Sequence, residues 1–283
     1  MKKKYMAKLL DGKIVRDKIA EELKSKIQNL LAAPRLVIIQ VGDNPESNTY
    51  IAQKIKFGEK IGANVKHLKL PEDVSEKTLN FQISNFNSEK SINGIIVQLP
   101  IPENLNKDQI IEAIDPAKDV DGLHSVNLKK LMENDSTGFV PATTKGVLTM
   151  LSHYKIDPKG KHVVIVGRST LVGKPTALAL LNLDATVTVC HSKTQNMETV
   201  TKTADIIISA VGKPGLITKN HVSPGQTIID VGTTVVDGKL KGDVAFDEVE
   251  KIVDCISPVP GGIGPMTVAS LFQNLLQAYQ NPS

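Results

Sequence analysis

The sequence predicts a mixed α/β protein with two α/β domains and a cleft between them. Apolar runs typical of buried parallel strands alternate with amphipathic helical patterns, both before residue 120 and after residue 160. This alternation indicates parallel sheets covered by helices. The length of 283 residues agrees with about two domains of ordinary size. We place the domain boundaries at 1–140 plus 267–283 and at 141–266.

The first predicted domain takes its elements from hydrophobic spacing. Pro34 is expected to end the first helix, and Gly62 is placed to cap the second. The predicted helices cover 13–33, 47–61, 76–86 and 107–114, and the predicted strands cover 36–41, 65–70 and 94–100.

The second predicted domain repeats the alternation after a helix that runs from Thr143, a suitable N-cap residue, to Tyr154. Asp237 and Gly238 predict the turn of a β-hairpin, and an amphipathic helix is expected to close the chain at 268–279. The remaining strands are expected at 162–166, 186–190, 205–211 and 226–231.

Composition excludes several classes of protein. Hydrophobic residues make up 41% of the chain, and its net charge of +4 comes from scattered lysines, so no nucleic-acid surface is implied. No apolar run approaches the ~18 residues of a membrane span, and the basic start, Met1–Tyr5, lacks the apolar stretch of a signal peptide. Cys190 and Cys255 have no metal-ligand spacing and fit buried thiols in a reducing compartment. We therefore expect a cytoplasmic protein without a membrane partner.

The segment 161–175 predicts a nucleotide site. A buried strand runs into a glycine turn and then into a helix, which sets backbone N–H groups and a helix N-terminus against a phosphate. The glycines stand at 167 and 173, a spacing that departs from the usual G-x-G-x-x-G fingerprint. An ordinary tight turn is the alternative interpretation.

The following strand indicates which cofactor is bound. An acidic residue near its end would hold a ribose 2′-hydroxyl, but no Asp or Glu occurs from 185 to 197. Arg168, Ser192 and Lys193 suit a 2′-phosphate, so the sequence favours NADP over NAD. The alternative is that Arg168 and Lys193 are simply solvated.

Two residues of the first domain share a helix face. Tyr50 and Lys54 are four positions apart, so their side chains are neighbours. Lys54 lies beside an apolar stripe and can be partly desolvated, although helix statistics alone favour an ordinary surface lysine.

Other candidates lie in loops. Gln98 is near the carboxyl end of a buried strand, where ligands of open α/β sheets bind; capping of loop backbone is its alternative role. Asp119, Asp121 and His124 match no standard metal-ligand motif, and turn formation is the favoured reading. The glycine- and proline-rich segment 258–267 exposes backbone to a ligand or serves as a rigid linker.

Taken together, these segments resemble the family of bifunctional methylenetetrahydrofolate dehydrogenases/methenyltetrahydrofolate cyclohydrolases. The resemblance follows the chain in order and covers nearly all of it. Its motifs are Ser47-x-x-Tyr50-x-x-x-Lys54, the segments 94–100 and 118–122, Gly167-Arg168-Ser169 with 172–175, and the segments 210–214, 229–232 and 258–267.

The resemblance implies NADP-dependent oxidation of 5,10-methylenetetrahydrofolate and hydrolysis of the methenyl product to 10-formyltetrahydrofolate, within one-carbon metabolism. It also implies a homodimer. No metal is expected, because the spacing of Asp119, Asp121 and His124 matches no standard ligand motif. Lys54 is expected to be the catalytic acid/base, with a pKa lowered towards neutrality by burial, and Gln98 is expected to contact it. The expected folate contacts are Tyr50, Asp121, Gly262 and Pro265.

The second domain is accordingly expected to be a Rossmann-like NADP-binding domain. Arg168 and Ser192 would hold the 2′-phosphate, and its other expected cofactor contacts are Gly167, Ser169, Gly173 and Thr234. We further expect the Lys54 amine and the phosphate-binding turn to open onto one crevice.

Two departures from the family pattern are visible. The chain reads Pro-Ala-Thr-Thr-Lys-Gly at 141–146 where the family usually has Pro-Cys-Thr-Pro-x-Gly, and Thr233-Thr234 replaces an apolar residue followed by Asn. Both put the fine geometry around the nicotinamide in question. A different NADP-dependent two-domain dehydrogenase and a nucleotide-binding protein without catalysis remain the alternative functions.

Overall fold

The computed structural model describes residues 6–281, so the basic start Met1–Tyr5 lies outside the described residues. The chain divides into two compact units. Within the described residues, the first unit comprises 17–142 with 268–281, and the second unit comprises 6–16 with 143–267. The domain boundaries drawn from the sequence stay a prediction.

The strands and helices alternate along most of the chain. The strands are β1 (Lys8–Leu9), β2 (Arg35–Val41), β3 (Asn64–Leu70), β4 (Gly94–Val97), β5 (His162–Val166), β6 (Thr186–Cys190), β7 (Ile206–Ser209), β8 (Thr227–Asp230), β9 (Thr234–Val236), β10 (Lys239–Lys241) and β11 (Cys255–Ile256). The helices are α1 (Gly12–Ile27), α2 (Pro45–Ile61), α3 (Glu76–Ser88), α4 (Lys107–Glu112), α5 (Ser125–Met132), α6 (Ala142–His153), α7 (Gly173–Leu181), α8 (Met197–Lys202), α9 (Phe246–Val249) and α10 (Ile263–Gln280).

The first unit contains a parallel three-stranded sheet in the order β3-β2-β4. The chain leaves the central strand β2 for β3 on one side and then crosses to β4 on the other. Ligands of open α/β sheets bind at the carboxyl ends of the strands where the order reverses in this way. Here that point lies between β2 and β4, which end at Val41 and Val97.

Helix α2 follows β2 and has clear start and stop signals. The Asn44 side chain accepts a hydrogen bond from the Ser47 amide, and Gly62 ends the helix in the left-handed region at φ 83°, which glycine adopts without steric cost. A Cβ at Gly58 would collide with Val65 of β3, so the missing side chain lets the helix pack closely on the sheet. The buried face comprises Ser47, Ile51, Lys54, Phe57, Gly58 and Ile61.

The second unit contains a parallel six-stranded sheet in the order β1-β11-β8-β7-β5-β6. The strand order reverses at β5, because β6 lies on one side of it and β7 on the other. This is the arrangement of a dinucleotide-binding sheet. The predicted α/β class is confirmed, and the predicted hairpin forms between β9 and β10, with Asp237 and Gly238 at φ 52° and 72°.

Some element boundaries differ from the sequence prediction. Helix α1 ends at Ile27, six residues before the predicted end, and Leu31, which extended the apolar pattern, is fully exposed. Thr143 does not cap α6, because the helix already begins at Ala142; the Thr143 hydroxyl instead accepts a hydrogen bond from Thr267. Within the described range, no helix has the length and apolar character needed to cross a membrane.

Candidate active site

Lys54 and Gln98 meet at the carboxyl edge of the first unit's sheet. Lys54 lies on the buried face of α2 with 8% of its surface exposed, so the alternative of a surface lysine is wrong. Its Nζ donates a 2.9 Å hydrogen bond to Oε1 of Gln98, the residue after β4. The Gln98 amide nitrogen donates to the Leu99 carbonyl at 2.8 Å. This second bond orients the amide so that its oxygen faces the lysine.

Burial controls the charge of the Lys54 amine. Desolvation lowers the pKa of Lys54 because the ammonium is costly away from water, and the carboxylate of Asp121 acts in the opposite direction. Burial likewise raises the pKa of Asp121, and the charge of Lys54 partly offsets this. The structure therefore brings Lys54, Gln98 and Asp121 into one electrostatic group. Tyr50 lies half-buried on α2, one turn before the lysine.

The loop that carries Asp121 is held by two buried charged residues. Lys118 Nζ donates to three carbonyls at the end of α3 and just beyond it. Asp119 accepts hydrogen bonds from the amides of Gly122 and His124 and from the side chain of Asn127. Burial raises the pKa of Asp119 to about 6. These two residues serve the loop itself, and no metal-ligating group of His, Cys, Asp and Glu occurs in the described part of the chain.

The departure at Ala142 lies beside this loop. The Ala142 amide donates to the Asp121 carbonyl at 3.0 Å, and its methyl group is buried. Gly122 packs so closely on Pro141 that a Cβ would approach the proline nitrogen to 2.8 Å. The segment that departs from the family pattern thus supports the backbone of Asp121.

The glycine turn of the second unit lies at the carboxyl end of β5. Gly167 has φ 132°, and a Cβ there would collide with the Ala210 carbonyl after β7. Val166 pairs with Cys190, so Arg168 and Ser192 each lie two residues beyond the same rung of adjacent strands. Both side chains are exposed. A guanidinium and a hydroxyl are therefore presented from neighbouring strand ends, as a phosphate requires.

The Ser169 side chain stabilises the glycine turn. Its hydroxyl accepts hydrogen bonds from the amides of Val172 and Gly173 at 3.2 and 3.3 Å, and its carbonyl accepts from Lys174. Amides at the start of α7, which the sequence assigned to a phosphate, are thus already bound by Ser169. A Cβ at Gly173 would collide with the Gly167 carbonyl, which explains the second glycine by packing of the turn.

Two buried aspartates, missed from the sequence, join the loops at the next strand ends. Asp243 accepts from the amides of Val211 and Lys213 and from the Ser209 hydroxyl. Asp230 accepts from the amides of Gly232, Asp243 and Val244, and burial raises its pKa to about 7. Asp230 lies within the motif at 229–232, whereas the only sequence signal for Asp243 was its neighbour Gly242. A Cβ at Gly232 would collide with Asp243, and one at Gly242 would collide with Asp230.

The remaining predicted site residues belong to the second unit. The Thr234 hydroxyl donates to the Gly212 carbonyl at 3.1 Å, so it also ties two loops together. Gly262 is buried, and a Cβ there would approach the Pro258 carbonyl to 2.6 Å. Pro265 is half-buried in the first turn of α10.

Helix α6 also carries the second substitution within the 141–146 segment. Thr144, which replaces a proline, shares a 3.0 Å hydrogen bond with Thr176 of α7, and both side chains are fully buried. This bond links α6 to the helix that follows the glycine turn. The adjacent Lys145, also missed from the sequence, has its pKa lowered by burial to about 8.

Comparison with known proteins identifies the family. The tetrahydrofolate dehydrogenase/cyclohydrolase catalytic domain matches residues 10–121, and the NAD(P)-binding domain of the same family matches residues 141–283. The chain belongs to this family. A relative from Methanospirillum hungatei, Bifunctional protein FolD, is 47% identical over 273 residues, which are 96% of this chain and 98% of the relative.

Solved structures agree with the family assignment. The bifunctional FolD enzyme from Campylobacter jejuni has a TM-score of 0.96 and 43% identity, covering 98% of this chain and 100% of that one. The Trypanosoma brucei FolD in complex with NADP and an inhibitor has a TM-score of 0.93 and 35% identity, covering 97% of this chain and 98% of that one. The predicted family, its bifunctional enzyme class and the NADP cofactor are confirmed.

Proposed function

We propose that this chain performs both reactions of the tetrahydrofolate dehydrogenase/cyclohydrolase family with Lys54 as the acid/base. NADP-dependent oxidation of 5,10-methylenetetrahydrofolate gives the methenyl cation, and hydrolysis of that cation gives 10-formyltetrahydrofolate. The single observation that carries the assignment of Lys54 is its burial against a neutral hydrogen-bond acceptor, Gln98.

Hydrolysis is the step that needs a proton carrier. Water adds to the methenyl carbon, the bond from that carbon to one ring nitrogen breaks, and one proton is released overall. A neutral Lys54 amine takes a proton from the attacking water, and the resulting ammonium returns a proton to the departing nitrogen. Because burial lowers the pKa of Lys54, more of the amine is neutral near pH 7, and a cationic substrate acts in the same direction.

Gln98 and Asp121 tune this amine. Gln98 supplies an acceptor without the full negative charge that would favour the ammonium. Asp121 opposes the effect of burial on the Lys54 pKa, and its carboxylate can accept hydrogen bonds from the pterin. Tyr50, Gly262 and Pro265 are proposed to contact the folate.

Oxidation needs positioning and no acid or base, because loss of hydride leaves a delocalised cation. NADP supplies the hydride acceptor when it is bound. The exposed Arg168 and Ser192 fit its 2′-phosphate, and residues 191–197 after β6 include no carboxylate that would bind a 2′-hydroxyl instead. We propose Gly167, Ser169, Gly173 and Thr234 as further cofactor contacts.

A homodimer in the cytoplasm is proposed for the assembly and compartment. Cys190 and Cys255 are free thiols, which supports a reducing compartment. The dimer follows from the family resemblance alone, and sedimentation of the purified chain tests it.

Absorbance of the methenyl chromophore tests the proposed reactions. The purified chain is mixed with 5,10-methylenetetrahydrofolate and either NADP or NAD, and decay of added methenyltetrahydrofolate is followed separately. We expect faster methenyl formation with NADP and an accelerated decay in the second assay. A chain that catalyses neither reaction would contradict the proposal.

A further inference from the structure

His191 forms the turn that follows β6. Its backbone amide donates to Thr194 Oγ1 at 2.8 Å, and its carbonyl accepts from the Thr194 amide at 2.8 Å. Its imidazole Nδ1 accepts from the Lys193 amide at 3.1 Å. One residue thus supplies three of the hydrogen bonds that shape the turn, and Ser192 and Lys193 occupy its two middle positions.

The turn begins directly after the rung that joins β6 to the strand preceding Gly167. Cys190 pairs with Val166, and the Gly167 amide donates to the Cys190 carbonyl at 2.9 Å. The side chains of Ser192 and Lys193 are exposed, whereas His191 is half-buried. The groups suited to a phosphate therefore face outward, while the imidazole acts within the turn.

Substitution of His191 can distinguish a role of Nδ1 in the turn from a role of Nε2. A nitrogen that accepts an amide N–H uses a lone pair, so Nδ1 is the imidazole nitrogen that closes this turn. The side-chain oxygen of Asn lies at the same number of bonds from Cα as Nδ1, and Asn accepts the amide two residues ahead in Asx turns. Gln places its terminal atoms nearer the position of Nε2, so it cannot accept the Lys193 amide in the same hydrogen-bonded turn.

We infer that His191 is a positioning residue whose Nδ1 fixes the Ser192–Lys193 turn and thereby sets the preference for NADP over NAD. The inference rests on the proposed function, in which Ser192 holds the 2′-phosphate. It assigns the imidazole no contact with the cofactor.

Calorimetric binding of two nucleotides to the full chain tests the inference without catalysis. Adenosine 2′,5′-bisphosphate carries the 2′-phosphate, and adenosine 5′-monophosphate lacks it. We expect H191Q to weaken binding of the bisphosphate by about threefold to tenfold, the effect of one hydrogen bond, and to leave the monophosphate unchanged. H191N is expected to bind both nucleotides like the wild type.

Kinetics and a second variant provide independent readouts. The KM for NADP should rise in H191Q by a larger factor than the KM for NAD, with kcat at saturating NADP unchanged. Thr194→Val removes the hydroxyl that accepts the His191 amide, so it should weaken the bisphosphate in the same direction. This variant keeps the test decisive if H191Q does not fold.

Three results would overturn the inference: equal losses in H191N and H191Q, equal losses for both nucleotides, or wild-type binding by H191Q and T194V. S192A separates this failure from that of the proposed function. If S192A weakens the bisphosphate and H191Q does not, only the role of His191 is wrong. If S192A binds the bisphosphate like the wild type, the proposed 2′-phosphate site is itself wrong, and the inference fails with it.

Discussion

Lys54 and Gln98 are joined by a 2.9 Å hydrogen bond from a buried amine to a neutral carbonyl oxygen. The pairing orients the amine and leaves its charge to be set mainly by burial, which lowers the pKa of Lys54. A carboxylate in the place of the amide would favour the ammonium. A glutamine in this place therefore avoids a charge that would oppose the effect of burial on the Lys54 pKa.

Gln98→Glu tests this relationship. The new carboxylate should raise the pKa of Lys54, so the limb on which cyclohydrolase activity rises with pH should move to higher pH. The activity at pH 7 should fall about tenfold or more, since a change of one pKa unit is a factor of ten. Stopped-flow hydrolysis of methenyltetrahydrofolate from pH 6 to 10 measures both effects.

A matched control is available on the same helix. Gln53 is exposed on α2, so Q53E adds the same charge to solvent and should leave the pH profile in place. A Q98E profile that superimposes on the wild-type profile would contradict the role given to Gln98.

Arg168→Ala tests the proposed 2′-phosphate site. Loss of a charge-assisted hydrogen bond should raise the KM for NADP by about tenfold to a hundredfold, while the KM for NAD changes little. Lys161 is an exposed cation at the opposite end of β5, and K161A should alter neither value. Steady-state dehydrogenase assays with both cofactors measure these KM values. Equal changes in the KM for NADP and for NAD would show that Arg168 does not bind the 2′-phosphate.

Thr144 and Thr176 should be energetically coupled. Replacing either threonine by valine leaves the other hydroxyl buried without this partner, which costs about 1–3 kcal/mol, whereas the double variant T144V/T176V removes both polar groups. We expect the double variant to lose less free energy of unfolding than the sum of the single variants. Urea denaturation of the wild type, both single variants and the double variant measures this double-mutant cycle. T199V, on the exposed face of α8, is the control. Additive losses would show that the hydroxyls do not interact.

Asp230 should make stability depend on pH. Burial raises the pKa of folded Asp230 to about 7, well above the ordinary value of an aspartic acid, so the folded state retains a proton that the unfolded state releases. The stabilisation is complete below about pH 4 and is lost as pH rises through 7, by up to about 4 kcal/mol. D230N should reduce the fall in the free energy of unfolding between pH 5 and pH 8. The readout is this difference between the two pH values, so a change in stability that is the same at both does not affect it.

Asp247 offers the comparison for this experiment, because it is exposed in the first turn of α9. Urea denaturation of D247N should follow the wild-type pH dependence. Parallel curves for D230N and the wild type would show that Asp230 does not hold the proton.

Local signals explain why much of the fold could be predicted from sequence. Gly62 ends α2 in the left-handed conformation that glycine favours, and the apolar runs of β2 and β5 are long enough to indicate buried strands. β1 and β11 have two residues each, too few for a periodic pattern. They become strands only because neighbouring strands supply hydrogen-bond partners.

The site shows the same division between local and long-range information. The family motifs located Lys54 and Gln98, but the burial of Lys54 depends on elements that the helix pattern does not contain. Asp230 and Asp243 are 13 residues apart and bind loops from three strand ends. All but one of the partners named above are backbone amides, which leave no residue-type signal in the sequence; the exception is the Ser209 hydroxyl.

The most direct test of the account compares both activities in Lys54→Met and in Lys56→Met, the exposed lysine of the same helix. We predict that K54M loses hydrolysis of methenyltetrahydrofolate by at least about a hundredfold, within the range of general acid–base catalysis, and keeps measurable NADP-dependent oxidation of methylenetetrahydrofolate. K56M should retain both activities. Hydrolysis by K54M at the wild-type rate would contradict the central claim.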